Sequence, residues 1–543
     1  MKRTARIREP VEHLITMQRS ANLQRIGQQT DPWDVIVIGG GATGASILLD
    51  AATRGMSAVL VEQHDFGKGT SSRSTKLVHG GVRYLAQGNI ALVREALQER
   101  SRLRSNAPHI VKEVSFLVPC GKWWQRIWYG LGFKMYDLLA GRSGFRKARG
   151  LSCRDCFARV TTLHPRWQAG GILYSDGQFD DARLLVSLLR TANDHGGLAV
   201  NYCPVEQLLK DASGQVVGVT CRDLETQQVL QIHGRVVINA TGPFVDTIRK
   251  QDDPSVANML STSQGIHLVL PQRFLPGDTA IIVPKTRDGR VIFMIPWAGH
   301  VLLGTTDTPL PGPVLEPTAR MDEVEFLLST AAEYLAEPPT RSDVLSVFTG
   351  IRPLVQPGGG NQSGAQKTAG LSRDHAITRA NSGLITITGG KWTTARKMAE
   401  DCIDRAIQWN DWAPLPCRTM RLRLHGAPSE ENSLHGLHGY GEDAAAIQQL
   451  ATHDPALSVP IVPDYPLTGA EVVWNVRHEM ARTLEDVLAR RNRLLFLNAG
   501  AAQQAAPAVA HWMAKELNRH GSWEAQQVAA FEQTLSHFRL AET

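Results

Sequence analysis

Three glycines in the first part of the chain have a spacing that binds dinucleotides. Gly39, Gly41 and Gly44 directly follow the apolar run 35–38. In such a motif the glycines permit a tight turn, let the backbone approach a pyrophosphate and let helix and strand pack closely. Glu62 ends the next apolar run, where a carboxylate can accept hydrogen bonds from a ribose 2′-hydroxyl and disfavours the 2′-phosphate of NADP. A structural turn is the alternative, but the flanking pattern predicts a dinucleotide site.

Two later glycine turns favour FAD over NAD as that dinucleotide. Thr241 and Gly242 lie in the segment Asn-Ala-Thr-Gly-Pro at 239–243, which looks like the turn that returns to the adenine end in flavoproteins. Gly389 and Gly390 follow another apolar run and precede a helical stretch, whose first N–H groups would face a flavin or its ribityl chain. Either turn alone is ordinary. The three motifs in this order predict FAD.

The elements that must position these turns alternate between strands and helices. The runs 35–38 and 58–61 flank a helical stretch and form a β-α-β unit. Other strand-like runs occur at 216–219, 236–238, 281–283, 301–303 and 384–388. We therefore predict an α/β (α+β) fold, with a Rossmann-like FAD-binding lobe, an antiparallel-sheet substrate lobe and a C-terminal helical domain. The expected boundaries are a basic, disordered tail at 1–33, an oxidoreductase region with interleaved lobes at 34–405 and a helical cap domain at 406–543.

Composition excludes several classes of protein. Hydrophobic residues at 43% and charged residues at 20% exclude wholesale disorder. No uninterrupted apolar run reaches the ~18 residues of a membrane-spanning helix. A net charge of +6 without a long polybasic run argues against nucleic acid as a partner. Seven cysteines in 543 residues form neither a disulfide framework nor a zinc tetrad, so we expect no metal site.

Further motifs are specific to one family. The segment 70–85, Thr-Ser-Ser-Arg-Ser-Thr-Lys-Leu-Val-His-Gly-Gly-Val-Arg-Tyr-Leu, resembles the flavin-dependent (respiratory) glycerol-3-phosphate dehydrogenases of the D-amino-acid-oxidase-like flavoprotein group. The likeness extends from about Asp34 to Arg396. It includes Gly-Ile-His at 265–267, Gly-Ile-Arg-Pro-Leu at 350–354, Arg-Asp-His at 373–375 and Gly-Gly-Lys-Trp-Thr-Thr at 389–394.

The resemblance implies a cofactor, a substrate and a set of site residues. The cofactor is FAD, and the substrate is sn-glycerol 3-phosphate, which is oxidised to dihydroxyacetone phosphate. Substrate-binding residues are Arg83, Tyr84 and Arg373, and an arginine is the planar bidentate donor that a phosphate prefers. Catalytic residues are His267, Arg352 and Lys391. Besides the glycine turns, Thr241 and Glu62, the implied FAD contacts are Thr70, Ser71, Ser72, Lys76, His79, Gly80 and Thr393.

His267 is the candidate base that takes the C2 hydroxyl proton while hydride moves to the flavin, because imidazole titrates near neutral pH. A core histidine whose ring is satisfied by the backbone is the alternative. Arg352 and Lys391 would stabilise the developing alkoxide. An isolated Arg or Lys is usually a solvated surface charge. Only the family motifs around Arg352 and Lys391 favour their assignment to the active site.

The segment 122–142 suggests how reduced flavin is reoxidised. It mixes Trp, Tyr and apolar residues with Lys and Arg, and Asp137 is its only acid. Such a mixture suits the headgroup boundary of a membrane, although a buried amphipathic helix over the site has the same pattern. With the resemblance, we expect a homodimer, peripheral to the cytoplasmic side of the inner membrane, that passes electrons to a quinone. A cytoplasmic location is the second choice.

Two other hypotheses for the function stay open at this point. The chain could be a soluble flavin oxidase that uses oxygen as acceptor. It could also be a flavin-binding partner of a respiratory complex without turnover. The response of bound flavin to substrate and to a quinone analogue separates all three.

Overall fold

The computed structural model describes residues 17–81, 89–141, 145–286, 289–356, 375–428 and 437–540. The strands of these residues are Trp33–Ile38, Ala58–Val61, Leu77–Val78, Val111–Pro119, Arg149–Leu151, Gly171–Phe179, Leu198–Val200, Val205–Lys210, Val216–Arg222, Val229–Asn239, Leu260–Pro271, Thr279–Val283, Ile292–Trp297, His300–Gly304, Thr308–Leu310, Ser346–Val355, His375–Arg379 and Ile385–Gly389. Their α-helices are Arg19–Gln28, Ala42–Thr53, Ile90–Asn106, Trp123–Ala140, Cys153–Arg159, Asp181–Asp194, Val245–Asp252, Met321–Ala332, Ala395–Trp409, Ala444–His453, Gly469–His478, Leu494–Leu497, Ala499–Glu516 and Gly521–Ser536.

The first sheet brings the glycine turns to one edge. Its central strands are parallel and follow the spatial order Ile385–Gly389, Val229–Asn239, Trp33–Ile38, Ala58–Val61 and Leu198–Val200. Because Ile38 is in register with both Val61 and Asn239, these strands end side by side. The loops that follow them therefore meet at the carboxyl edge, where ligands bind in open α/β sheets.

The strand Trp33–Ile38 is apolar throughout because both of its faces are covered. Val35 and Val37 belong to one buried cluster, and Ile36 and Ile38 belong to another. A strand enclosed on both sides reads as a continuous hydrophobic run rather than an alternating one.

The second sheet is largely antiparallel and forms the predicted substrate lobe. Its longest strand, Leu260–Pro271, pairs antiparallel with Ser346–Val355 and with His300–Gly304. The C-terminal helices pack on one face of this sheet, where Val269, Phe348, Phe496 and Val509 share one core. The predicted fold class, with two lobes and a helical C-terminal domain, is confirmed.

The predicted disordered tail at 1–33 is wrong for residues 17–33. Arg19–Gln28 is a helix, and the side chain of Asn22 is fully buried, where it donates to the carbonyl of Ala199 over 3.0 Å. The Arg19 guanidinium donates to the carbonyl of Asn201 over 2.9 Å. Because polar side chains make these contacts, the sequence shows no apolar periodicity that would predict the helix. Residues 1–16 lie outside the described residues.

The helix Trp123–Ala140 presents a broad apolar face to solvent. Among the described residues, large exposed apolar side chains concentrate here, with Trp128 at 71% and Leu138 at 81% exposure. Its inner face is anchored by Phe133, whose ring stacks on Tyr174 with 4.3 Å between centroids. In the part of the chain that the structure describes, no helix combines the length and hydropathy needed to cross a bilayer.

Candidate active site and cofactor cavity

The carboxyl edge of the first sheet opens into a cavity. The predicted residues that line it are Gly39, Gly41, Glu62, Thr70, Ser71, Thr241, Gly242, Gly389, Gly390 and Lys391. They come from five segments that are far apart in the sequence. The first sheet brings them together because its strands end at the same edge.

Steric contacts explain why two positions of the first motif are glycine. Gly39 has a φ of 105°, and a Cβ atom there would lie 2.8 Å from the carbonyl oxygen of Ala240. Gly44 does not line the cavity, but a Cβ atom on it would lie 1.9 Å from the carbonyl oxygen of Gly39. The motif therefore lets the helix start directly against the strand, with its N-terminal N–H groups at the cavity.

The carboxylate of Glu62 is positioned by backbone donors. It accepts hydrogen bonds from the N–H of Gly40 over 2.6 Å and from the N–H of His64 over 2.8 Å. Burial raises the pKa of this carboxyl above its ordinary value, against the effect of these two donors. Each carboxylate oxygen keeps a lone pair for a further donor, such as a ribose hydroxyl.

The loop that begins at Thr70 joins the two sheets at the cavity. The Ser71 hydroxyl accepts a hydrogen bond from the N–H of Ala42 over 2.9 Å, at the start of the first helix. The carbonyl of Ser71 accepts from the indole N–H of Trp392 over 2.8 Å. The Thr70 hydroxyl donates to the carbonyl of Ile351 in the second sheet over 2.7 Å. This short loop therefore contacts the helix that follows the first glycine turn, the segment that follows Gly390 and the substrate lobe.

His267 lies on the longest strand of the second sheet and is 2% exposed. Its Nε2 atom is 2.9 Å from the Thr75 hydroxyl oxygen, and its ring stacks on Phe348. Burial, together with the charges of Lys76 and Arg352, holds the pKa of His267 well below its usual range. The imidazole is therefore neutral at neutral pH. It does not line the cavity itself.

The guanidinium of Arg352 is held close to His267 by the neighbouring strands. It donates to the carbonyls of Gln264 over 3.2 Å and Thr306 over 2.9 Å, and to the hydroxyl of Thr305 over 3.1 Å. It also forms a salt bridge with Asp307 over 3.3 Å. This network fixes a planar donor group at the boundary between the two lobes.

Several predicted FAD contacts do not line the cavity, and Lys76 requires a correction. Its ammonium is fully buried, where it binds Asp181 and the carbonyl of Ser72, each over 2.7 Å. Arg493 also donates to that carbonyl, over 2.8 Å. The Lys76 side chain therefore supports the loop from the protein interior rather than from the cavity. Its ammonium and the Asp181 carboxylate compensate each other's charge there. The others that do not line the cavity are Ser72, His79, Gly80 and Thr393.

The predicted substrate-binding residues Arg83, Tyr84 and Arg373 lie outside the described residues, and their roles stay predictions. The structure adds cavity residues that the sequence analysis missed. Among these, Lys68 lines the cavity, and its ammonium bridges Glu485 over 2.6 Å and Glu316 over 3.1 Å. The sequence feature that could have predicted this role is the position of Lys68 between two glycines, directly before the loop that begins at Thr70.

Comparison with known proteins agrees with this geometry. Residues 34–396 match the family model of FAD-dependent oxidoreductases, and residues 384–528 match the C-terminal domain of alpha-glycerophosphate oxidase. The mitochondrial glycerol-3-phosphate dehydrogenase of Arabidopsis thaliana is 38% identical over 558 residues, covering 94% of this chain and 87% of the relative. The human mitochondrial enzyme is 39% identical over 525 residues, covering 90% and 71%.

A solved structure extends the likeness to the whole fold. The glycerol-3-phosphate dehydrogenase from Bacillus halodurans, complexed with FAD, superposes with a TM-score of 0.78 at 30% identity, covering 98% of this chain and 100% of that one. The fold and the cavity define an FAD-dependent oxidoreductase, and FAD is its cofactor, as predicted. Within that class, the chain belongs to the family of FAD-dependent glycerol-3-phosphate dehydrogenases.

The cavity residues fit this cofactor. A glycine turn at Gly39 and the first N–H groups of the helix Ala42–Thr53 suit a pyrophosphate, and Glu62 suits an adenosine ribose. Gly389 and Gly390, both with positive φ, leave backbone exposed at the opposite side, beside Lys391.

Proposed function

We propose that the protein oxidises sn-glycerol 3-phosphate to dihydroxyacetone phosphate and passes the electrons to a membrane quinone. The observation that carries the first half is the convergence of a neutral buried imidazole and a fixed guanidinium beside a cavity that suits FAD. The names of the relatives support the same substrate.

His267 takes the proton of the C2 hydroxyl in this proposal. Its low pKa keeps the imidazole neutral at neutral pH, and the Thr75 hydroxyl holds the ring in place. Arg352 and Lys391 supply positive charge where the alkoxide develops. FAD supplies the hydride acceptor when bound. Arg83, Tyr84 and Arg373 bind the substrate in this proposal.

The second half of the proposal concerns the membrane. The exposed face of the helix Trp123–Ala140 carries three Trp residues, Ile127, Leu131, Met135 and Leu138. An isolated amphipathic helix of this kind lies in the interface plane, with its apolar face below the headgroups. This helix supports peripheral attachment to a membrane. In this proposal the membrane surface is the cytoplasmic side of the inner membrane, where quinone accepts the electrons. A homodimer remains part of the proposal.

The deciding experiment is anaerobic addition of sn-glycerol 3-phosphate to the purified holoenzyme while the absorbance of oxidised flavin is followed. Loss of the flavin band that a quinone analogue restores is the expected result. A band that does not change on adding substrate would contradict the proposed substrate while leaving the cofactor in place.

A soluble oxidase is the second candidate, because the C-terminal match carries the name of an oxidase. Peroxide formed in stoichiometric yield in air, without any effect of a quinone analogue, would favour it. Little peroxide and rapid reoxidation by the analogue are expected for the dehydrogenase.

A further inference from the structure

A second pocket, remote in sequence from the cofactor cavity, is lined by cations. It has a volume of about 280 Å³, and its charged lining residues are Arg146, Lys147, Arg149 and Arg159. We call it the basic pocket.

The basic pocket is formed by three elements. Arg149 begins a short strand that pairs with Gly171–Phe179, and Arg159 ends the helix Cys153–Arg159. Ser115 and Ser175 face each other across the neighbouring strand pair and line the same pocket. Neither hydroxyl hydrogen-bonds another group of the described residues. Cations and free hydroxyl donors together are the groups that bind phosphate oxygens.

The acids near this pocket offset only part of its charge. Glu113 accepts from the backbone N–H of Arg146 and lies within salt-bridge distance of two guanidinium groups, those of Arg146 and Arg104. Asp137 accepts from the N–H of Ala148 over 2.7 Å. Asp155 caps its own helix through Ser152.

The positive charge of the pocket is therefore only partly neutralised by neighbouring acids. Among the described residues, Lys147, Arg149 and Arg159 have no salt-bridge partner within 4.0 Å, and all three are exposed.

The basic pocket directly follows the apolar-faced helix. The chain runs from Ala140, through residues outside the described part, to Lys147 and Arg149. Asp137 of the helix holds the N–H of Ala148, and the Arg126 guanidinium lies against Gly150. The pocket is thus fixed to the element whose apolar face would lie below the headgroups.

We propose that the basic pocket binds the phosphate of an anionic phospholipid headgroup. This inference rests on the proposed peripheral attachment and adds a specific lipid contact to it. An apolar helix alone gives weak, reversible attachment, and a second signal from anionic lipid makes it stable.

The test compares binding of the holoenzyme to vesicles of phosphatidylcholine alone and to vesicles that also contain phosphatidylglycerol, by co-sedimentation. Arg149→Gln and Arg159→Gln should each weaken binding to the anionic vesicles about tenfold or more, because a charge-assisted hydrogen bond is lost. Arg154→Gln is the matched control, since Arg154 is exposed on the same helix and does not line the pocket. It should cost about fivefold at most, the effect of one nearby charge.

Equal losses for Arg154→Gln and the pocket variants would overturn the proposal in favour of a diffuse surface charge. Equal binding of the wild type to both vesicles would also overturn it while leaving peripheral attachment intact. Failure to bind either vesicle would contradict both. Thermal stabilisation of the wild type, but not of Arg149→Gln, by inorganic phosphate without any vesicle preference would assign the pocket to a soluble anion instead. FAD content and anaerobic flavin reduction should be unchanged in all three variants.

Discussion

The Nε2 atom of His267 lies 2.9 Å from the hydroxyl oxygen of Thr75. His267 belongs to the second sheet, whereas Thr75 belongs to the loop whose first residues line the cofactor cavity. The other ring nitrogen makes no hydrogen bond within the described residues. The contact with Thr75 and the stacking on Phe348 therefore orient the imidazole together. Thr75 is therefore a positioning residue for the proposed base.

Thr75→Val removes the hydrogen bond and keeps the side-chain shape. We expect flavin reduction by sn-glycerol 3-phosphate to slow about tenfold or more, since general bases contribute about 10²–10⁴-fold and depend on their geometry. Stopped-flow absorbance measures this rate. Thr75→Ser keeps the hydroxyl and should retain most of the rate. Equal rates for the valine and serine variants would refute the positioning role.

The pH dependence of flavin reduction reports on His267. Its pKa is held well below 6.5, so the neutral form persists into mildly acidic solution and the rate should fall only when the pH drops through that low pKa. Lys76→Met removes one cation that lowers the pKa, so the acid limb should move to higher pH. Rate profiles of both proteins test this, with the exposed Lys515→Met as control. An unmoved limb in a folded Lys76→Met protein would exclude His267 as the titrating group.

Glu62→Gln should weaken retention of FAD. The amide keeps the shape of the side chain but is a weaker hydrogen-bond acceptor than the carboxylate. Because hydrogen bonds to charged groups contribute about 1.5–3 kcal/mol, the release of FAD should accelerate about tenfold or more. Recovery of flavin fluorescence during dilution measures release. Glu206→Gln, an exposed carboxylate paired with Arg222, should leave it unchanged. Retention equal to that of the wild type would contradict the assignment of Glu62 to the ribose.

Asp65→Asn should destabilise the fold by about 1.5–3 kcal/mol, because it weakens charge-assisted hydrogen bonds to two buried arginines. Arg490 keeps its pairs with Glu485 and Asp486. Asp65 is fully buried and binds Arg490 over 2.5 Å and Arg491 over 2.7 Å, which joins the C-terminal part to the FAD lobe. These arginines hold the pKa of Asp65 far below its usual range, so its contribution is complete above about pH 4 and is lost only in stronger acid.

Urea unfolding measures the change for Asp65→Asn. Glu516→Gln is its control, because it breaks a more exposed pair with Arg477 and should cost about 1 kcal/mol or less. A similar cost for both substitutions would show that the buried network does not join the two parts.

Trp128→Gln should reduce binding to vesicles of either composition about tenfold or more, since burial of a large apolar side chain contributes about 1.5–3 kcal/mol. Anaerobic flavin reduction in solution should be unchanged, because Trp128 is 71% exposed and does not contact the cavity. Co-sedimentation measures the effect. Val459→Gln, at an exposed apolar position outside the helix, should have none. Equal binding of Trp128→Gln and wild type would remove this helix as the attachment site.

Short-range patterns predicted most of the fold class and the glycine turns of the cofactor cavity. The apolar run that ends at Ile38 and the glycine spacing after it are patterns of consecutive residues, so they can be recognised from the sequence. The contact of Gly44 with Gly39 spans only five positions. The placement of Lys76 was wrong because neighbouring residues in a motif point in different directions, and only the packed loop shows which of them face the cavity. The helix Arg19–Gln28 was missed because polar contacts to a distant strand hold it.

The sequence by itself determined the class of protein, since glycine spacing, an acid after the second strand and a set of loop motifs are properties of consecutive residues. Only the tertiary structure decided which of those residues meet. The contact of Thr75 with His267 spans 192 positions, and that of Asp65 with Arg491 spans 426. Such pairs depend on strand register and on helix packing across two sheets, and no local pattern encodes the distance between them.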